Sequence, residues 1–194
     1  MGKIINQIKN SITIKRNILE DHIFLKQIEE SALIISNAYK NGFKTMIAGN
    51  GGSAADAQHM AGEFVSRFNF DRPGLPSIAL TTDTSIITAI GNDYGYEKVF
   101  SRQIEAQGIS GDIFIGISTS GNSKNILEGL KKCIEKNIFT IGLTGEYVGE
   151  MAKLCNICIQ VPSNETPRIQ EVHLLIEHII CGIVEDNLFG DYKK

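Results

Sequence analysis

The chain has 194 residues and a mass of 21.3 kDa, is 42% hydrophobic and carries a formal net charge of -3. That length supports one substantial core and a single domain over residues 1–194, and scattered charge with no basic run excludes a binder of nucleic-acid backbones. No apolar run approaches the ~20 residues of a membrane span, and Met1 to Asn10 lacks the apolar core of a signal peptide, so the expected setting is the cytoplasm and the expected partner a small molecule, neither nucleic acid nor membrane.

Ile8, Ile12, Leu19, Ile23, Ile28, Leu33 and Ile35 recur at helical spacing, which predicts two helices over residues 4–40 before any strand. Residues 45–48 then read as a short buried strand, Gly49-Asn50-Gly51-Gly52 as a turn that only small residues make, and Ser53 as the N-cap of the next helix. On that helix His59 and Glu63 stand four apart and share a face. A turn-rich link at Arg72-Pro73-Gly74-Leu75-Pro76 leads to a strand over 77–80 and a helix over 83–90, broken by Gly91-Asn92-Asp93-Tyr94-Gly95. Residues 97–107 should again be helical. The clearest strand is 113–117, apolar on both faces and therefore central. An amphipathic helix over 123–137, a strand over 139–143, a short helix over 149–154, a strand over 157–161 and a closing helix over 165–188 complete the pattern. Five apolar strands separated by helices predict an α/β fold: a doubly wound five-stranded parallel sheet flanked by helices, with N-terminal helices and a long C-terminal one. Ligands are expected beyond the strand C-termini, at a topological switch point.

Two stretches fit that expectation. The glycine turn runs into a helix start, where unpaired N–H groups and the positive end of the helix dipole stabilise a phosphate without any lysine. Ser118-Thr119-Ser120-Gly121-Asn122-Ser123 opens a second helix with four hydroxyls, more than capping needs, and suits the three outer oxygens of a phosphate monoester. Gly49-x-Gly51-x-x-Ala54 also fits a relaxed dinucleotide fingerprint, but the acidic ribose-binding residue is misplaced: Asp71 precedes the second strand and Asp83 lies too far on. In the closing helix Gln170 and His178 are eight apart, close to one face, while His173 and Glu177 form an i,i+4 pair on a neighbouring face. His173 alone reads as an ordinary core or surface residue. If that helix packs on the helix of His59 and Glu63, or meets it across a subunit boundary, then His59, Glu63, Gln170 and His178 make a mixed nitrogen and oxygen set acceptable to zinc, although Gln is an uncommon ligand. Cys155 and Cys158 read as a structural pair within a buried strand, where positions i and i+3 face opposite sides; a redox pair would want a helix N-terminus.

GNGGS with AxxxHxxxEF, then GND, STSGNS and RIQEVHxxIEH, in this order over nearly the whole chain, resemble the sugar isomerase (SIS) family. The resemblance implies a homotetramer, with sites at subunit boundaries, that converts sedoheptulose 7-phosphate to D-glycero-D-manno-heptose 7-phosphate through an enediol, for the heptose of bacterial lipopolysaccharide or capsule. It implies that Asn50, Gly51, Gly52 and Ser53 contact substrate, that Asn92 and Asp93 approach sugar hydroxyls, and that Ser118, Thr119, Ser120 and Ser123 hold the phosphate. It further implies one Zn²⁺ per subunit on His59, Glu63, Gln170 and His178, with Glu63 and Gln170 also facing substrate and Glu63 and His178 moving protons. Some members carry a carboxylate immediately before the RIQ segment, where this chain has Pro167, so no role transfers to that position. The family also holds non-catalytic sugar-phosphate sensors and replication-initiator-associating adaptors that lack parts of the metal and acid–base set; here all four positions are filled, which favours the enzyme.

Overall fold

Asp21 splits the N-terminal helical run in two. It ends α1 (Gly2–Glu20), and its carboxylate accepts the Ile23 and Phe24 N–H groups at 3.0 Å each, capping α2 (His22–Lys40). The computed structural model describes residues 1–147 and 149–192. The strands are β1 (Thr45–Ala48), β2 (Ser77–Ala79), β3 (Ile113–Ile117), β4 (Phe139–Thr144) and β5 (Ile157–Gln160). They pair in parallel in the order β2-β1-β3-β4-β5. The expected α/β architecture is therefore present, and its order reverses between β1 and β3, so the ends of those two strands flank the switch point.

Alternation along the strands builds two apolar layers. Ile47, Ile115, Ile141 and Ile159 face α2, α3 (Gly52–Val65) and the 24-residue α8 (Thr166–Phe189). Met46, Ala48 and Phe114 face α5 (Ser101–Gln107), α6 (Lys124–Glu135) and the short α7 (Met151–Leu154). At up to 3 kcal/mol for each fully buried aliphatic side chain, these layers fix where every strand ends. Among the described residues no helix is long and apolar enough to cross a membrane.

Four local expectations change. The helix after β2, α4 (Thr84–Tyr94), runs through Gly91, Asn92 and Asp93 instead of breaking there. Gly91 has open space where a Cβ would sit and costs only its propensity of about 1 kcal/mol; the stop falls at Gly95, whose φ is +91°. The segment expected to be one helix over 97–107 is a 3₁₀ turn, Tyr96–Lys98, followed by α5. Ser53 is not the cap of α3: Gly51, at φ +56°, holds that place, and Ser53 is buried within the first turn. Cys155 and Cys158 do not face opposite sides, because Cys155 lies before β5 and escapes its alternation. Both sulfurs stand over Gly142, where an added Cβ would meet them at 2.7 and 3.4 Å, and hydrogen bonding with Cys158, together with burial, pushes the Cys155 thiol up.

Candidate active site

The glycine turn is as tight as its composition suggests, since a Cβ on Gly49 would lie 2.3 Å from the Ser53 carbonyl oxygen. Positive φ at Gly51 then turns the chain into α3, which carries His59 and Glu63 along its next turns. Helix α8 crosses α3 and adds His178. His59 Nε2 and His178 Nε2 are 2.8 Å apart, one ring nitrogen donating to the other, and His59 Nε2 lies 3.5 Å from Glu63 Oε1. One donor atom from each of His59, Glu63 and His178 falls within 4.8 Å of the others. Two imidazole nitrogens and a carboxylate oxygen converging on one point are a fitting donor set for a divalent cation. The ring of Phe68 backs His178 at a centroid distance of 5.5 Å.

Gln170 stands two turns earlier on α8, with its amide over Gly52: a Cβ there would meet Gln170 Nε2 at 2.4 Å. Gln170 thus ties α8 to the start of α3. Gln170 is not among the three side chains that converge, His59, Glu63 and His178; its place beside them is implied by the family resemblance.

At the tip of β3 the hydroxyl loop forms as its sequence suggests. Ser118 Oγ is 2.8 Å from Ser123 Oγ and 3.4 Å from Ser120 Oγ. Ser123 occupies the N-cap position of α6, yet its side chain makes no capping bond, so a plain capping role does not account for it. Thr119 is held through its carbonyl, which accepts the Gly145 N–H at 3.1 Å. The loop and the glycine turn border an open cleft of about 490 Å³ lined by Asn50, Tyr96, Glu97, Ser123, Lys124 and Asn125. Asn92 and Asp93 lie exposed on α4 and bond to each other at 2.8 Å; the segment's link to the glycine turn is Tyr96, whose hydroxyl donates to Asn50 Oδ1 at 3.2 Å.

Sequence reasoning missed several groups that hold this arrangement. Arg72, read as part of a turn-rich link, is buried and donates to Glu185 of α8 at 3.1 Å, to the Phe64 carbonyl at 2.6 Å and to the Glu63 carbonyl at 2.7 Å. It caps the C-terminal end of α3 and fastens it to α8, fixing the register in which Glu63 and His178 meet. Asn125 and Tyr96 were also unread. A single Arg or Asn carries no periodic signal; only the repeated hydroxyls and glycines do.

A second polar group is sealed beneath the first. His173 Nε2 donates to the Thr144 carbonyl at 3.2 Å, and burial lowers its pKa to about 4. Burial, with the Asp56 carboxylate adding to it, raises Glu177 to about 9. Neither Glu177 oxygen nor His173 Nδ1 has a hydrogen-bond partner among the described residues.

The sequence profile of the SIS domain matches residues 9–145. The chain is 65% identical over 181 residues to phosphoheptose isomerase 2 of Campylobacter jejuni, covering 93% of this chain and 90% of that one. It is 63% identical over 184 residues to the phosphoheptose isomerase of Aneurinibacillus thermoaerophilus, covering 95% and 93%. The solved phosphoheptose isomerase of Neisseria gonorrhoeae superposes with a TM-score of 0.89 at 39% identity, over 95% of this chain and 98% of that one. Agreement of profile, relatives and fold over nearly the full length means that this chain belongs to the SIS-domain family and, within it, to the phosphoheptose isomerases.

Proposed function

We propose that the chain converts sedoheptulose 7-phosphate to D-glycero-D-manno-heptose 7-phosphate, as a single-domain cytoplasmic homotetramer serving heptose synthesis for lipopolysaccharide or capsule. The observation that carries this reading is the meeting of His59, Glu63 and His178 between α3 and α8, with His59 and Glu63 on the helix that starts at the glycine turn. Isomerisation moves a proton between C1 and C2, so it needs a base at carbon and a proton donor at oxygen. Glu63 takes the carbon-bound proton; His178 supplies and removes the proton at oxygen. Ser118, Thr119, Ser120 and Ser123 hold the phosphate, and that remote binding energy fixes the open-chain sugar with its reacting carbons beside Glu63. Asn50, Gly51, Gly52, Ser53, Asn92, Asp93 and Gln170 line the sugar.

Zn²⁺ would be held by His59, Glu63, Gln170 and His178, and when bound would disperse negative charge developing on the substrate oxygens. The tetramer is supported by apolar surface that one subunit leaves bare: Ile4, Ile5, Ile8 and Ile12 of α1 are 45–61% exposed, and α4, which carries Asn92 and Asp93, buries none of its residues. A site closed by a neighbouring copy would bring such exposed groups to the sugar.

The test is turnover of sedoheptulose 7-phosphate by the purified protein beside fructose 6-phosphate as control. Conversion of the seven-carbon substrate alone is expected; equal turnover of both would move the reading to a broader sugar-phosphate isomerase, and turnover of neither would sink it. Sedimentation at micromolar concentration checks assembly, where a fully active monomer would refute the tetramer.

A further inference from the structure

Asn125 hydrogen-bonds to one of the groups assigned above, Asn50, and the contact is reciprocal. Its Nδ2 donates to Asn50 Oδ1 at 2.8 Å, while Asn50 Nδ2 donates back to Asn125 Oδ1 at 2.9 Å. Asn125 Oδ1 also accepts the Ile126 N–H at 3.0 Å. A backbone N–H can only donate, so it marks which end of the Asn125 amide is oxygen, and the reciprocal pair then sets the orientation of Asn50. Asn125 is 4% exposed, so little competing water reaches the pair.

Two consequences follow from counting valences. Asn50 Oδ1 accepts from Asn125 and from Tyr96, which uses both lone pairs, and Asn50 Nδ2 spends one of its two hydrogens on Asn125. One N–H remains, so Asn50 can face a ligand only as a donor. Asn125 Oδ1 also satisfies an N–H of the first turn of α6 that a capping side chain would otherwise take. That leaves the Ser123 hydroxyl free to join Ser118.

Resting on the isomerase reading, we propose that Asn125 is a positioning residue: it locks Asn50 as a single-proton donor toward an oxygen of the sugar phosphate, and it joins the glycine turn of β1 to the hydroxyl loop of β3. The class of group that Asn50 recognises is then a carbonyl, hydroxyl or alkoxide oxygen, not a proton donor.

The test is a double-mutant cycle of Asn50→Ala, Asn125→Ala and the pair, read as kcat/KM for sedoheptulose 7-phosphate. Asn125→Ala should cost about 10-fold to 100-fold, the scale of a misplaced contact group. If Asn125 acts through Asn50, the double variant loses no more than Asn50→Ala alone; losses that multiply would overturn the proposal, as would an Asn50→Ala variant of wild-type activity. Asn125→Asp keeps an acceptor for the Ile126 N–H, and so the first turn of α6, but sets an oxygen against Asn50 Oδ1. It should lower kcat/KM at least as far as Asn125→Ala, with a Kd for inorganic phosphate that weakens far less than kcat/KM falls. A phosphate Kd that weakens as much as kcat/KM would mean that the residue merely supports the loop, against the proposal. Wild-type protein inert toward the sugar phosphate would instead refute the isomerase reading, and the same cycle would then be read on Kd for that sugar phosphate.

Discussion

His59 and Glu63 on α3 and His173 and Glu177 on α8 share one spacing, yet the first pair lies at 3.5 Å with side chains 41% and 23% exposed, while the second is sealed from solvent, His173 bonded to the Thr144 carbonyl and the Glu177 oxygens without a partner among the described residues. Spacing on a helix supplies proximity and nothing more. What separates the pairs is the element packed against each. The outer pair meets His178 from a second helix, where its side chains stay partly exposed to solvent. The inner pair meets the tip of β4 and Asp56, and there burial removes charge: His173 is driven toward neutral imidazole and Glu177 toward neutral carboxylic acid. The inner pair is held in the uncharged forms that a core tolerates.

The sharpest way to break this contrast is to make the same change in both pairs. Glu63→Gln keeps size and some hydrogen bonding but removes the base, so kcat should fall by about 10²–10⁴. Glu177→Gln should leave kcat essentially unchanged, because the glutamate is already neutral where it stands. Since Glu63 is also placed among the zinc ligands, metal content and substrate Kd are measured on the same variant. Retained zinc and retained binding without turnover would support the base; solvent deuterium entering C1 or C2 at the wild-type rate would show that another group is the base.

The anion end gives the next largest effect. If Ser118 and Ser120 hold the phosphate, replacing both by Ala removes two hydrogen bonds to a charged group, each worth about 1.5–3 kcal/mol, so KM should rise by at least about a hundredfold. An unchanged KM would sink the phosphate assignment. Removing metal sharpens the same contrast from the other side: chelation should abolish turnover and be reversed by Zn²⁺. Full activity in protein shown metal-free by elemental analysis would reject zinc as cofactor.

How far the sequence carried depended on whether a feature repeats. The five apolar runs and the helices between them were legible because each strand is several residues of one kind, and the parallel α/β sheet followed. The hydroxyl loop was legible because it spends four hydroxyls where a cap needs one. The meeting of His59, Glu63 and His178 was legible only as a possibility, since spacing within α3 and α8 says nothing of how they cross; Arg72 and Glu185 fix that crossing, and each is a single residue in unremarkable surroundings. Helix α4 was cut short because Gly91-Asn92-Asp93 reads as a stop, when Asp83 in fact caps its start through the Ile86 N–H and Gly95 ends it. Asn125 is not legible in the sequence, because one asparagine inside an amphipathic helix carries no pattern at all.

The smallest effect concerns the sealed pair itself. Burial holds His173 neutral with a pKa of about 4, whereas the unfolded chain gives it an ordinary value near 6.5. Below about pH 6.5 the unfolded state therefore binds a proton that the folded state refuses, so the contribution of this residue is fully present above that pH and is lost as the pH falls toward 4. Between pH 7 and pH 5 the loss should be about 2 kcal/mol. Carboxylates elsewhere also titrate in this range, so the measurement is a difference: unfolding free energy in urea at both pH values, for wild type and for His173→Gln, which cannot take up the proton. The variant should start less stable, having lost a well-packed ring, but should lose less on acidification. Equal losses in the two proteins would mean that His173 gains a proton in the folded state as readily as in the unfolded one, and the inner pair would then differ from the outer in exposure alone.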